Sequence, residues 1–338
     1  MKPSELIVGC VSSSFQLLNF ITFLESKKKY LIKSHVVIKG YWGGVTIQPS
    51  YISYCKELGV EILFADGNSK SLADEVCSII SSESACLHKI SVVSANRLFP
   101  MSVLGRCFRL RSEIQFVFIE DGIGAYGGFR HIFSAILREK GRLSKSAILF
   151  PFAYVTNQIL SFFYNNKRFL LFEDNDVNVS VDYKEAFVSV VGNLESAKRK
   201  RVTVPQNSII FCSQPYVDMG LLSELEYAGF IKKINLYAEN NACNFIVKRH
   251  PADNKFNYDG MVVVEGGHSF EELLFQNKEN IYAVASINST CLITASAIFG
   301  IKSLSIQNNL AELQFENFPC FMKAIFNRYV EIKYERDL

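Results

Sequence analysis

Short apolar runs alternate with stretches of helical spacing along the whole chain. Residues 5–11 (ELIVGCV), 34–41 (SHVVIKGY), 60–66 (VEILFAD), 88–95 (HKISVVSA) and 114–121 (IQFVFIED) have the length and β-branched content of buried strands. Between them, 12–26 (SSSFQLLNFITFLES), 51–59 (YISYCKELG) and 69–82 (SKSLADEVCSIISS) repeat apolar residues every three to four positions, as helices do. The rhythm restarts after residue 203. Strands are predicted at 208–215, 244–251, 258–267, 281–286 and 302–307, and helices at 222–239, 269–277 and 289–300, the last ending at Gly300. Strand-helix alternation implies parallel crossovers, hence an α/β class.

Between the halves lies ESAKRKRVTVPQNS (195–208), charged and then polar around Pro205. It places the domain boundary near 203: an N-terminal domain 1–202 and a C-terminal domain 203–338. Two Rossmann-like domains facing a central cleft are the architecture of GT-B nucleotide-sugar transferases, and that is the fold expected. With 338 residues, 49% hydrophobic and 20% charged, the chain can fill two cores. A net charge of +3 gives no reason to expect nucleic acid. Nine scattered cysteines without CxxC spacing fit a reducing cytoplasm better than a disulfide framework or a zinc site. No window is apolar for long enough to be expected to span a membrane, and MKPSELIVGC lacks the apolar stretch expected of a signal peptide.

Charge is uneven. Arg130, Arg138, Lys140, Arg142, Lys145, Lys167 and Arg168 face only Glu139 across the segment 130–168. They flank the aromatic-rich stretch 147–164, interrupted by Pro151, Asn157 and Gln158. One reading is a core helix with a solvated basic face. The other is a peripheral contact with anionic lipid headgroups, which would suit a lipid-linked acceptor. The KRKR run at 198–201 either joins such a patch or is a solvated linker.

Five places offer chemistry. The fifth strand ends on Glu120-Asp121-Gly122, which reads either as a turn or as a carboxylate presented at the carboxyl edge of a parallel sheet. Adjacent side chains on extended backbone point oppositely, so one carboxylate would face a substrate while the other braces the loop. NFIVKRHP delivers Lys248, Arg249, His250 and Pro251 at a strand end, where cations and an imidazole could meet a phosphate. Ser289 and Thr290 stand at a helix start, as caps or as a phosphate site. After Gly266-Gly267, Glu271 lies in the first turn of a helix, suited to ribose hydroxyls or to the helix dipole. The serine-rich loop at 12–14 leads to Gln16 and Asn19, both expected to face the cleft.

In this order the motifs resemble those of the bacterial sialyltransferases, namely the capsule polysialyltransferases with related lipooligosaccharide and multifunctional enzymes. Their Asp/Glu-Asp/Glu-Gly, His-Pro and Ser-Ser/Thr motifs are matched by Glu120-Asp121-Gly122, His250-Pro251 and Ser289-Thr290. SFQLLN (14–19) is similar to a Pro-x-Gln-Leu-Leu-Asn opening, with Ser14 in place of proline. SQP (213–215) is similar to a Gly-Gln-Pro, and SFE (269–271) resembles a ribose-contacting stretch. The resemblance implies CMP-sialic acid as donor substrate, no cofactor, no metal, inversion at the anomeric carbon and a cytoplasmic enzyme acting on a surface glycan. It implies Glu120 as general base, Asp121 as its neighbour in the motif, and His250 acting on the departing CMP phosphate. Ser289, Thr290, Glu271, Lys248, Pro251 and Gln16 become donor-site candidates. Transfer of one residue to a galactose-type sugar is expected, with polysialylation the alternative. A CDP-glycerol-dependent polymerase or a sugar epimerase would keep the helix-start hydroxyls and a histidine near the phosphate without needing Glu120-Asp121-Gly122, whereas a non-catalytic glycan- or nucleotide-binding protein would keep Ser289 and Thr290 with no reason for both Glu120 and His250.

Overall fold

The structure is a computed structural model and describes residues 5–27, 32–39, 47–65, 69–83, 89–96, 103, 114–127, 129–140, 144–160, 165–173, 176–196, 202–264 and 269–338. It divides into two units, Met1–Val190 and Val191–Leu338. The basic run at 198–201 and Gly266-Gly267 lie outside the described residues.

In the first unit, β1 (Glu5–Val11), β2 (Ile32–Lys39), β3 (Glu61–Ala65), β4 (Ile90–Ser94), β5 (Ile114–Ile119) and β6 (Asn165–Phe169) form one sheet in the order β3-β2-β1-β4-β5-β6. Every pairing is parallel. Every residue of β1 is buried, which explains why its sequence is almost continuously apolar rather than alternating. Helices α1 (Ser14–Ser26), α2 (Pro49–Glu57) and α3 (Ser69–Glu83) connect the first four strands. Ala73, Val76 and Ile80 of α3 join Leu6, Val8 and Val92 in one core. On α1, Phe20 lies so close to Gly9 of β1 that a Cβ there would sit 2.5 Å from the ring. The chain continues through α4 (Phe129–Lys140), α5 (Lys145–Leu160) and α6 (Val181–Ser196), the last crossing the division between the units.

The second unit repeats the plan. Its strands are β7 (Ser208–Cys212), β8 (Asn244–Lys248), β9 (Val262–Val264), β10 (Ile281–Ser286), β11 (Ser303–Gln307) and β12 (Glu331–Tyr334). The order β12-β11-β10-β7-β8-β9 is the same topology met from the other edge, again all parallel. Counted within each unit, both sheets run 3-2-1-4-5-6, the doubly wound order in which ligands bind beyond the carboxyl ends of the strands. Helix α7 (Glu224–Asn240) opens with a reciprocal capping box between Ser223 and Glu226. Its Tyr227, Phe230 and Ile234 pack on Ile209 and Phe211. Then follow α8 (Phe270–Asn277), α9 (Thr290–Ile293) running into a π-helical turn (Thr294–Ile298), α10 (Asn309–Glu316) and α11 (Cys320–Tyr329).

Both sheets thus gain a strand that the hydrophobic pattern did not predict. Strand β6 reads NNKRF and β12 reads EIKY; each is an edge strand, paired on one side only. Edge strands carry charge that discourages further pairing, which removes the apolar run by which an inner strand is recognised.

Candidate active site

The carboxylates come from the first unit. Gly122 adopts φ +83°, a left-handed conformation open to glycine, and turns the chain out of β5 into a short 3₁₀ turn at Ile123–Tyr126. That turn brings the Tyr126 hydroxyl back to donate to Glu120 Oε2. The Leu171 N–H donates to the same oxygen at 3.1 Å, and the Phe172 N–H donates to the Tyr126 hydroxyl at 3.1 Å. Glu120 is only 2% exposed, and Oε1 has no hydrogen-bond partner among the described residues. Burial pushes its pKa up to about 7, against the opposing influence of Tyr126 and Leu171, with a weaker one from the Gly122 N–H.

Asp121 is exposed instead, and its Oδ1 accepts from Gln16 Nε2 at 2.8 Å. Surrounding protein raises its pKa to about 6, but solvent reaches the side chain and offsets part of that rise. Gln16 is aimed by the serine loop: its Oε1 accepts from the Ser12 N–H at 2.8 Å and the Ser12 hydroxyl at 3.0 Å. Ser13 caps α1 by accepting from the Gln16 N–H. Gln16 is therefore joined to the carboxylate motif. Asn19 is not: it is fully buried, bonded to the Phe15 carbonyl and to the Tyr183 hydroxyl, and serves the core.

In the second unit Lys248, His250 and Pro251 lie at the carboxyl end of β8, Ser289 and Thr290 follow β10, and Glu271 lies in the helix after β9. His250 Nδ1 accepts from the Ala252 N–H at 3.1 Å, which puts the proton of the neutral ring on Nε2. Its backbone N–H donates to Ser213 Oγ at 2.9 Å, tying the turn after β8 to the loop after β7. Burial lowers the His250 pKa and nearby Asp253 partly restores it. Pro251 is exposed beside it. Lys248 is half-buried; burial lowers its pKa, while Cys212 and Glu271 act the other way. Arg249 turns away, donating to the Phe256 carbonyl at 2.6 Å and stacking on the Tyr258 ring.

Ser289 caps α9. Its Oγ accepts from the Cys291 N–H at 3.3 Å and from Gln214 Nε2 at 3.2 Å. With both acceptor positions used, the Ser289 hydroxyl proton points elsewhere. Thr290 follows as the first helical residue. Glu271 is buried in the first turn of α8, but the capping box there is closed by Glu272 with Ser269. The Glu271 carboxylate is also drawn into that first turn, by its own N–H and the Ser269 hydroxyl. Burial raises its pKa; those two hydrogen bonds oppose the rise, and Lys248 adds a weaker opposing influence.

Sequence reasoning missed four supporting residues. Tyr126 holds Glu120. Asp253 is buried, accepts from the Tyr258 hydroxyl at 2.6 Å and sits beside His250. Asn288, with φ +43°, turns the chain into Ser289, and its Oδ1 accepts from Gln307 Nε2 at 2.7 Å. Polar residues inside an otherwise buried strand (SLSIQ) were the available signal for Gln307. Among the described residues no cluster of His, Cys, Asp or Glu could hold a metal ion.

A family model described as alpha-2,8-polysialyltransferase (POLYST) matches residues 68–307. No curated protein sequence matches the chain. Among solved structures, the GT-B domain (residues 113–497) of a sialyltransferase from Photobacterium damselae is similar at a TM-score of 0.56 and 15% identity, covering 98% of each chain. A UDP-GlcNAc 2-epimerase from Methanocaldococcus jannaschii is similar at 0.55 and 11%, covering 98% of this chain and 89% of that one. The glycosyltransferase SnogD from Streptomyces nogalater is similar at 0.53 and 10%, covering 100% and 88%. At these identities the likeness is one of fold: two parallel-sheet, Rossmann-like domains, as in GT-B enzymes.

Proposed function

The chain belongs to the alpha-2,8-polysialyltransferase family, and from that premise we propose that it moves sialic acid from CMP-sialic acid to a sugar hydroxyl of a bacterial surface glycan, inverting the anomeric carbon. The supporting observation is that the carboxylate, His-Pro and Ser-Thr motifs all lie within the matched residues 68–307, each at the carboxyl end of a parallel strand or in the loop that follows. The acceptor hydroxyl gives its proton to Glu120 as its oxygen bonds to the anomeric carbon. The bond from that carbon to the phosphate oxygen breaks, and CMP leaves with the electron pair. His250 donates from Nε2 to the leaving phosphate, which Ser289 and Thr290 hold with the start of α9; Lys248 offsets its charge and Glu271 takes the ribose. These groups supply charge stabilisation to a phosphate without a metal.

Glu120 suits a base because Tyr126 and Leu171 fix one of its oxygens and a pKa of about 7 matches a proton to be taken near neutrality. A second reading rests on access: Asp121 is the exposed carboxylate, held by Gln16, and would then be the base with Glu120 as its support. Glu120→Gln and Asp121→Asn separate them. On the first reading Glu120→Gln loses about 10²–10⁴-fold in kcat, and activity of the unmodified enzyme rises with pH through about 7. If Asp121→Asn takes the larger loss and Glu120→Gln mainly lowers stability, the base is Asp121. Sialic acids added per galactose-terminated acceptor, counted by mass spectrometry, distinguish single transfer from the polymer synthesis that the family's description favours. Absence of CMP release from CMP-sialic acid, with and without acceptors, would overturn the transferase reading.

A further inference from the structure

Helix α5 leaves one face bare. Ile148, Leu149, Phe152, Val155 and Ile159 are between 49% and 72% exposed, a third of the 15 large hydrophobics exposed among the described residues. At 3.6 residues per turn these positions fall on a single stripe, with Lys145 at its N-terminal end. The opposite face is occupied: Ala147 and Phe150 are buried, and Phe129 and Phe133 of α4 stack on Phe150. The stripe is therefore not a misplaced core face; the helix already has its packing partner.

Charge identifies the occupant. From 129 to 160 the sequence carries Arg130, Arg138, Lys140, Arg142 and Lys145 against the single acid Glu139, and α5 itself contains no acidic residue. Arg130 and Lys145 are exposed. A second copy of the chain docked through the same basic segment would bring like charges together, whereas an anionic surface offers both an apolar layer and the opposite charge. No helix among the described residues is long and apolar enough to cross a membrane. We propose that the exposed stripe of α5 docks in the plane of an anionic lipid surface, the Ile, Leu, Phe and Val side chains entering the headgroup boundary and the flanking cations pairing with lipid phosphates. Docking of this kind does not depend on the transferase reaction.

Sedimentation of the full chain with vesicles tests it. Vesicles rich in phosphatidylglycerol should carry the protein down at low salt and release much of it at high salt, while vesicles of phosphatidylcholine alone should bind little. Phe152→Glu, at the most exposed position of the stripe, should weaken binding about tenfold or more, with an unchanged circular dichroism spectrum and melting temperature. Lys145→Glu should weaken binding to anionic vesicles and steepen nothing else. Equal binding of Phe152→Glu and the unmodified chain, no preference for anionic vesicles, or a dimer in solution that Phe152→Glu dissociates would overturn the proposal, the last by assigning the face to self-association.

Discussion

Glu120 and Asp121 are neighbours in sequence, yet one is buried and the other open to solvent. Burial has a consequence for stability that is independent of catalysis. An unfolded glutamate titrates near about 4.3, whereas Glu120 in the fold titrates at about 7. The folded state holds that proton more tightly, so the contribution is fully present below about pH 4 and is lost as pH rises through about 7. The loss by pH 8 is on the order of 3 kcal/mol. Glu120→Gln keeps the shape without the charge and should escape it. Melting temperatures measured from pH 5 to 8 should therefore move in the variant's favour as pH rises; parallel curves would show that Glu120 is not charged at a cost. The carboxylate pair was legible in the sequence because two acids ending an apolar strand are conspicuous. Their division of environment was not, since it depends on Tyr126, Leu171 and Gln16, one of them more than a hundred positions away along the chain.

At the scale of elements, the inner strands and the apolar edge strands β3 and β9 were legible, while the polar edge strands β6 and β12 were not, for a physical reason. Strands β1, β4 and β7 are buried on both faces, and β10 is too except at Tyr282, so their composition is fixed by burial. Strands β6 and β12 answer to solvent and read as polar loops. Close packing between elements is equally invisible in sequence. Gly9 reads as an interruption of β1, but it makes room for the Phe20 ring on α1. Gly9→Ala should destabilise the first unit by about 1–3 kcal/mol, because a methyl group 2.5 Å from a fully buried ring forces the helix or the ring to move. Combining it with Phe20→Leu should recover part of the loss. A Gly9→Ala chain that melts with the unmodified one would mean that α1 shifts without cost.

For the whole molecule, the repeated 3-2-1-4-5-6 topology gives each unit its own strand ends, and the candidate groups sort between them. The carboxylates and Gln16 belong to the first unit; His250, Ser289, Thr290, Lys248 and Glu271 belong to the second. This sorting predicts separable effects. Ser289 reaches its position through contacts wholly inside the second unit, with Gln214 and the start of α9. Ser289→Ala removes a hydroxyl proposed to donate to a charged phosphate, a bond of about 1.5–3 kcal/mol, so CMP affinity should fall about ten- to hundredfold by calorimetric titration. Glu120 makes its hydrogen bonds within the first unit, to Tyr126 and Leu171. Glu120→Gln should leave CMP affinity within about twofold of the unmodified chain while lowering kcat about 10²–10⁴-fold, because removing a base acts on the rate and not on the nucleotide. Equal CMP affinity in Ser289→Ala would take that hydroxyl out of the phosphate site. A large drop in Glu120→Gln would mean that the carboxylate motif serves the donor rather than the acceptor.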